Sequence, residues 1–198
     1  MIKGIVRDKY NNPVEGVDIE FKDNSFNSLL FALTDKNGEF LIKEDIKYSF
    51  VAVCKEYKEK YLEYWLTNKN CKDCELEIVM DVLEVYGLNA FNVDGAYDST
   101  MIYFRPMSLI KVRNNEPNIA PNIKDIFVTI DGVESKVIST NIVNENIGQE
   151  LFGRDTLDAY LIQAKKNDGS KCSSWSKIDV KIVDIDGNVG MASLIRWI

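Results

Sequence analysis

The sequence predicts an all-β protein made of two β-sandwich domains, residues 1–84 and 85–198, on three observations. Apolar residues recur at every second position through most of the structured runs. Asn, Asp and Gly fall between those runs, where tight corners need a positive φ. Amphipathic helical spacing is scarce. Successive strand side chains point to opposite faces, so alternation of this kind means half-buried antiparallel strands.

Taken in order, "VDIEF" puts Val17, Ile19 and Phe21 on one face, with Asp18 and Glu20 on the other. The stretch "TDKNGEF" (34–40) predicts a hairpin corner: Gly38 supplies positive φ, Asp35 and Asn37 bond local backbone, and Phe40 re-enters the core. The aromatic segment "KEYKEKYLEYWL" (55–66) fits a helix by its three- and four-residue spacing, and fits a strand by its weak alternation. "ELEIVMDV" turns Leu76, Ile78, Met80 and Val82 inward. After about residue 85 the habits change, and "NNEPNIAPNIKD" interrupts the strands. In "DSTMIYFRPMSLIKV" (98–112), Met101, Tyr103 and Arg105 share one face while Ile102 and Phe104 take the other. Pro106 cannot donate to a ladder, which predicts an edge strand or a bulge there. "GQELFGRDTLDAY" (148–160) reads as a helical turn or irregular loop. "KIDVKIV" alternates again, with Ile178, Val180 and Ile182 inward, and turns are expected at "DG" (131–132), "NDG" (167–169) and "IDGN" (185–188). Trp175 and Trp197 are expected to plug the core or an edge.

Composition narrows the function. The chain has 198 residues, 45% apolar, enough for a core in one large or two small domains. Its net charge of −7, without a basic cluster, argues against nucleic acid, whose backbone must be neutralised. It contains no histidine, which removes Ser-His-Asp and Cys-His nucleophiles and imidazole metal sites. Carboxylate pairs, lysine bases and calcium chemistry remain open. Of four cysteines, Cys71 and Cys74 form a lone C-x-x-C. It reads first as a polar connection between strands, with a local disulfide or a metal holding a borrowed ligand as the alternatives. "DKNG" and "DIDGN" lack the further oxygen ligands of a calcium loop. No metal or cofactor is expected. No apolar run is long enough for a membrane-spanning helix, and the start lacks the apolar stretch of a secretory signal, which leaves the compartment open.

The order "IKGIVRD", "NNPVEGVDIEF", "TDKNGEFLI", then a strand carrying Tyr48, resembles the carboxypeptidase regulatory-like family over residues 2–82. That resemblance implies a seven-stranded, transthyretin-type prealbumin sandwich that accompanies other units and carries no catalytic residue. Members recur in bacterial surface proteins, so the family is often extracytoplasmic. The pilin-type collagen-binding B module shares this general fold, but its Glu-x-x-x-Pro-x-Gly-Tyr stretch is missing here, so no Lys–Asn cross-link is expected. The closing "WSKIDVKIVDIDGNVGMASLIRWI" is generically similar to bacterial immunoglobulin-like domains.

Two surfaces are candidate binding sites. Tyr57, Tyr61, Tyr64 and Trp65 could form a stacking platform for a glycan or protein, or cover the core. Tyr103 and Arg105 could pair with another chain or stack a ligand; equally, Arg105 could lay its stem over an apolar patch and pair with a carboxylate. The expected function is a non-catalytic binding or assembly protein contacting a protein or glycan. The alternatives are a carboxylate-dependent glycan hydrolase and a structural subunit that self-associates through an edge strand.

Overall fold

The computed structural model describes residues 1–69, 74–96, 98–151 and 154–196; Cys71 and Trp197 lie outside the described residues. The protein is all-β, as its alternation predicts. The strands are β1 (Ile2–Asp8), β2 (Asp18–Lys22), β3 (Ser28–Leu33), β4 (Glu39–Ile42), β5 (Phe50–Cys54), β6 (Tyr64–Lys69) and β7 (Cys74–Met80). They continue with β8 (Leu83–Phe91), β9 (Thr100–Ser108), β10 (Ile123–Ile130), β11 (Val133–Leu151), β12 (Arg154–Lys166), β13 (Lys177–Asp184) and β14 (Val189–Arg196). One short helix, α1 (Leu109–Arg113), follows β9, its N-terminus capped by Ser108, whose hydroxyl accepts the Lys111 N–H.

A three-stranded sheet, β4-β1-β7, faces an eleven-stranded sheet ordered β3-β2-β5-β6-β14-β13-β10-β11-β12-β9-β8. Between the small sheet and the β3-to-β6 end of the large one lies a first apolar cluster. Val17, Ile19 and Phe21 meet Leu76, Ile78 and Met80 there, all essentially sealed from solvent. Each such side chain contributes roughly 1.5–3 kcal/mol by leaving water. The rest of the large sheet curls until β8 packs on β14. It closes a second cluster around Phe104, Trp175, Ile178, Val180 and Ile182. The contact of β8 with β14 is close, because a side chain at Gly190 would meet Leu83 Cβ at 3.0 Å.

The two regions share a seam. Residues 65–69 of β6 pair in parallel with residues 192–196 of β14, so one sheet runs through both. Ile195 of β14 enters the first cluster. Tyr64, buried in that cluster, donates its hydroxyl hydrogen to Ser193 Oγ at 2.7 Å, and Ser193 in turn donates to Asp179. Asp81 at the crossing accepts the Val189 N–H at 2.9 Å and pairs with Lys9 at 3.3 Å.

One turn recurs four times. In "DKYNN", "DNSFN", "DKNGE" and "DIDGN" the leading Asp (8, 23, 35 or 184) takes two backbone N–H groups, two and four residues on, on one carboxylate oxygen. The fourth residue, Asn11, Phe26, Gly38 or Gly187, has positive φ. This is a type I turn followed by a left-handed residue. Where the fifth residue is Asn, its side-chain amide also donates to the other Asp oxygen. At Asp23 that amide bond holds the carboxyl below its ordinary range.

Several expectations are corrected. The 34–40 corner is not a hairpin between paired strands: it carries the chain from β3 in the large sheet to β4 in the small one. Gly38 is required twice over there, by a φ of +75° and because a Cβ would lie 2.3 Å from the Val6 carbonyl oxygen. Residues 55–66 form turns and then the start of β6, and 148–151 and 154–160 are strand. Strand β9 is interior, between β12 and β8, and not an edge. Pro106 is tolerated because the β12 ladder ends at Phe104, and the bulge lies in the partner strand, between Tyr86 and Asn89.

Gly38→Ala should cost several kcal/mol in chemical denaturation, from steric overlap added to backbone strain. Gly187→Ala, with the same backbone sign but open space around it, should cost only about 1–2 kcal/mol. Equal losses would show that the approach to Val6 is not what fixes the corner.

Candidate functional site

Strand parity sets the site. Along β6 Tyr64 and Leu66 point inward, so Trp65 and Thr67 point out. Pairing with β5 brings Phe50 opposite Thr67. The β2–β3 turn leans Phe26 over Phe50, the two rings stacked 4.6 Å apart at 8°. Phe26 meets the Trp65 indole edge-to-face at 6.2 Å, and Trp65 meets Tyr86 of β8 the same way at 6.2 Å. Phe26, Phe50, Trp65, Thr67, Tyr86, Gly87 and Leu88 thus line a cleft of about 130 Å³ where β8 closes on the seam. Such a volume admits one ring of a larger ligand, well short of the few hundred Å³ that enclose a whole small molecule. Phe26 is 51% exposed, so a ring face is open to solvent.

Beyond Tyr86 the row turns polar. The Arg105 guanidinium stands 5.5 Å from the Tyr86 ring centroid and is bound to Glu145 through Nη2 at 2.6 Å and Nε at 2.9 Å. The Tyr103 hydroxyl donates to the same Glu145 oxygen. Burial first, then the bond to Glu145, pushes the Tyr103 hydroxyl up to about 12, so it stays a donor at neutral pH.

Beside Trp65, on the same face, lie two carboxyls, Glu63 and Glu84. Glu84 is 2% exposed, and one of its oxygens and the Trp65 indole N–H are both buried without a hydrogen-bond partner. The indole N–H faces Glu63 and Glu84 without closing a bond of normal geometry. Burial, and behind it the Glu63 charge, pushes the Glu84 carboxyl up to about 8, and burial raises Glu63 in the same direction. Tyr57, on the flank, is pushed up to about 12 by burial and by Glu84.

The residues singled out in the sequence therefore divide. Trp65 lies in the cleft, and Tyr103 and Arg105 form its polar end. Tyr57 is half-exposed beside the carboxyl pair. Tyr61 and Tyr64, at 8% and 2% exposure, are core side chains and offer no face to a ligand. A platform of four aromatics from one segment is corrected to a row drawn from β5, β6, β8 and the β2–β3 turn. Sequence reasoning missed Phe26, Phe50, Tyr86, Glu84 and Glu145. Phe50 and Tyr86 stand beside the buried Val51 and Val85, and that parity alone marks them as outward-facing. Among the described residues no group of three or more acidic or cysteine side chains is placed to hold a metal, and Asp35 and Asp184 spend an oxygen each on their own turns.

The carboxyl pair gives a pH test. A carboxyl near 4.5 when unfolded and about 8 when folded keeps its proton only in the native state between those values. Stability therefore falls as pH rises through that window and levels off above it, by a total on the order of a few kcal/mol. Glu84→Gln should flatten that slope and leave the protein more stable than wild type above the window, measured by urea denaturation at a series of pH values. An unchanged slope would mean that Glu84 ionises freely.

No family model and no curated protein matches the chain. Among solved structures it is similar to the major pilin subunit of Bacillus cereus, at 12% identity and a TM-score of 0.30, over 98% of this chain and 68% of the pilin. It is similar to a DUF3823 family protein from Bacteroides ovatus at 7% identity and a TM-score of 0.32, over 98% and 97%. A candidate carbohydrate-binding protein from Bacteroides uniformis aligns at 10% identity and a TM-score of 0.33, over 98% and 97%. These overlaps are too slight to assign a function, and the all-β architecture stands on the chain's own strand pairing.

Proposed function

We propose that this chain is a non-catalytic binding protein whose aromatic cleft takes a sugar ring of a glycan. The observation that carries the reading is the row Phe26, Phe50, Trp65 and Tyr86, partly exposed on the outer face of a rigid sheet and ending in the Tyr103–Arg105–Glu145 cluster. Ring faces bind the apolar C–H side of a sugar, and a fixed polar cluster next to them can bond its hydroxyls. The resemblance of residues 2–82 to carboxypeptidase regulatory-like modules, which accompany other units without doing chemistry, supports the same reading. With it goes a division of the chain into a prealbumin-like module, 1–84, and an immunoglobulin-like one, 85–198, with the cleft at their junction; the first apolar cluster draws all but Ile195 from the first, and the second all but Leu83 from the second.

The hydrolase reading has less support. A glycosidase needs two carboxyls open to the scissile bond. Of the Glu63–Glu84 pair beside the aromatic row, Glu84 is closed to solvent.

Titration against a panel of oligosaccharides, followed by calorimetry, tests the proposal. Trp65→Ala and Tyr86→Ala should each weaken binding by about tenfold or more, the loss of one good ring contact. Tyr57→Ala, off the row, should leave affinity within about twofold. Affinity indifferent to both cleft substitutions, or steady turnover of a bound glycan, would refute it.

A further inference from the structure

Strand β3 ends the eleven-stranded sheet, and no described strand pairs with its outer edge. The Thr34 N–H donates to the Val17 carbonyl at 3.2 Å, on the β2 side. Backbone groups alternate sides along an antiparallel strand, so Phe31 and Leu33 aim their N–H and C=O away from β2, at that edge. Native edges are usually guarded by lysine, proline or an inward charge. From Phe26 to Thr34 the chain has no charged residue and no proline, and the guard that is present is a bulge at Leu29, where the β2–β3 register shifts. Leu29, Phe31 and Leu33 all stand on the outer face and are exposed, Phe31 by 65%.

We propose that this edge is a self-association seam, on which β3 of a second copy pairs antiparallel to make a two-fold dimer. Two features select a second copy over another protein's strand. The first is register. Outer-face residues must meet outer-face residues across the seam, because a slip of one residue would set the edge-facing backbone groups of Phe31 and Leu33 against residues whose own groups point back to β2. A two-fold axis through Phe31 satisfies this, setting Phe31 opposite Phe31 with the two residues exchanging both backbone hydrogen bonds, while the bulge at Leu29 ends the regular ladder. The second is charge. A chain of net charge −7 repels its own kind over most of its surface, but not along an uncharged strand. Glu20, one strand further back, is already paired with Lys22 at 2.6 Å. Because the axis is perpendicular to the sheet, both aromatic clefts of the dimer open on the same side. The seam itself needs no ligand in either cleft.

The test is the mass of the full chain in solution, by light scattering and sedimentation from low to high micromolar concentration. Wild type should reach twice 22.6 kDa. Phe31→Lys, on an exposed position that keeps the fold by circular dichroism, should stay at one chain throughout. Leu41→Lys, on the small sheet, should dimerise like wild type. Phe31→Cys places two thiols across the axis, and mild oxidation should link it into a dimer in far higher yield than Leu41→Cys or wild type. A single-chain mass for wild type at every concentration overturns the proposal. So does a dimer that survives Phe31→Lys, or Phe31→Cys cross-linking no better than the controls.

Discussion

Residues 65–69 and 192–196 lie side by side and parallel, and the rest of the molecule is arranged around that contact. A parallel pair cannot be joined by a tight turn; the chain between must leave, build something and return. Here the excursion is β7 to β13: β7 stays with the first cluster, β8 to β13 supply most of a second, and β14 comes back along β6 to complete it with Ala192 and Leu194. The return delivers Ile195 into the first cluster and Ser193 to the buried Tyr64 hydroxyl, so the contact is both a ladder and a packed wall. The same closure brings β8 up to β14, and with it Tyr86 to Trp65. The cleft is therefore a product of the long-range pairing and belongs to neither end of the sequence alone.

Its chemistry follows from being at a junction. Glu84 stands against Glu63 and Trp65 and keeps its proton because water has been excluded around it. On the far side Arg105 and Glu145 neutralise each other at short range, so the polar end presents oriented hydrogen-bonding groups with little net charge. The aromatic row thus runs between a carboxyl pair whose Glu84 is sealed from solvent and a compensated ion pair.

Much of the fold was legible because it is local. Val17, Ile19 and Phe21, or Ile178, Val180 and Ile182, announce a strand by their spacing, and all six are sealed from solvent. Asp-Gly at 131–132 announced a corner, and both residues have positive φ. What local reading cannot give is partnership. "TDKNGEF" looks like a hairpin whether its strands pair or part into different sheets. Pro106 argues for an edge only if nothing is known of where the neighbouring ladder stops. The cleft was half visible for the same reason: Trp65, Tyr103 and Arg105 could be marked by type, but whether Tyr64 or Trp65 faces out depends on register. Phe26, Phe50 and Tyr86 become a set only after three separate pairings bring them together.

The placement of Ile195 bears on how the protein is made. As the chain emerges from the ribosome, β1 to β7 can assemble early, yet their hydrophobic interior lacks Ile195, and Met191 packed on it, until β14 has been synthesised. Over that interval the β6 edge, later covered by β14, offers bare backbone to any extended segment nearby. A half-finished molecule of this design is thus exposed to mispairing at the very strand that its own late segment must claim.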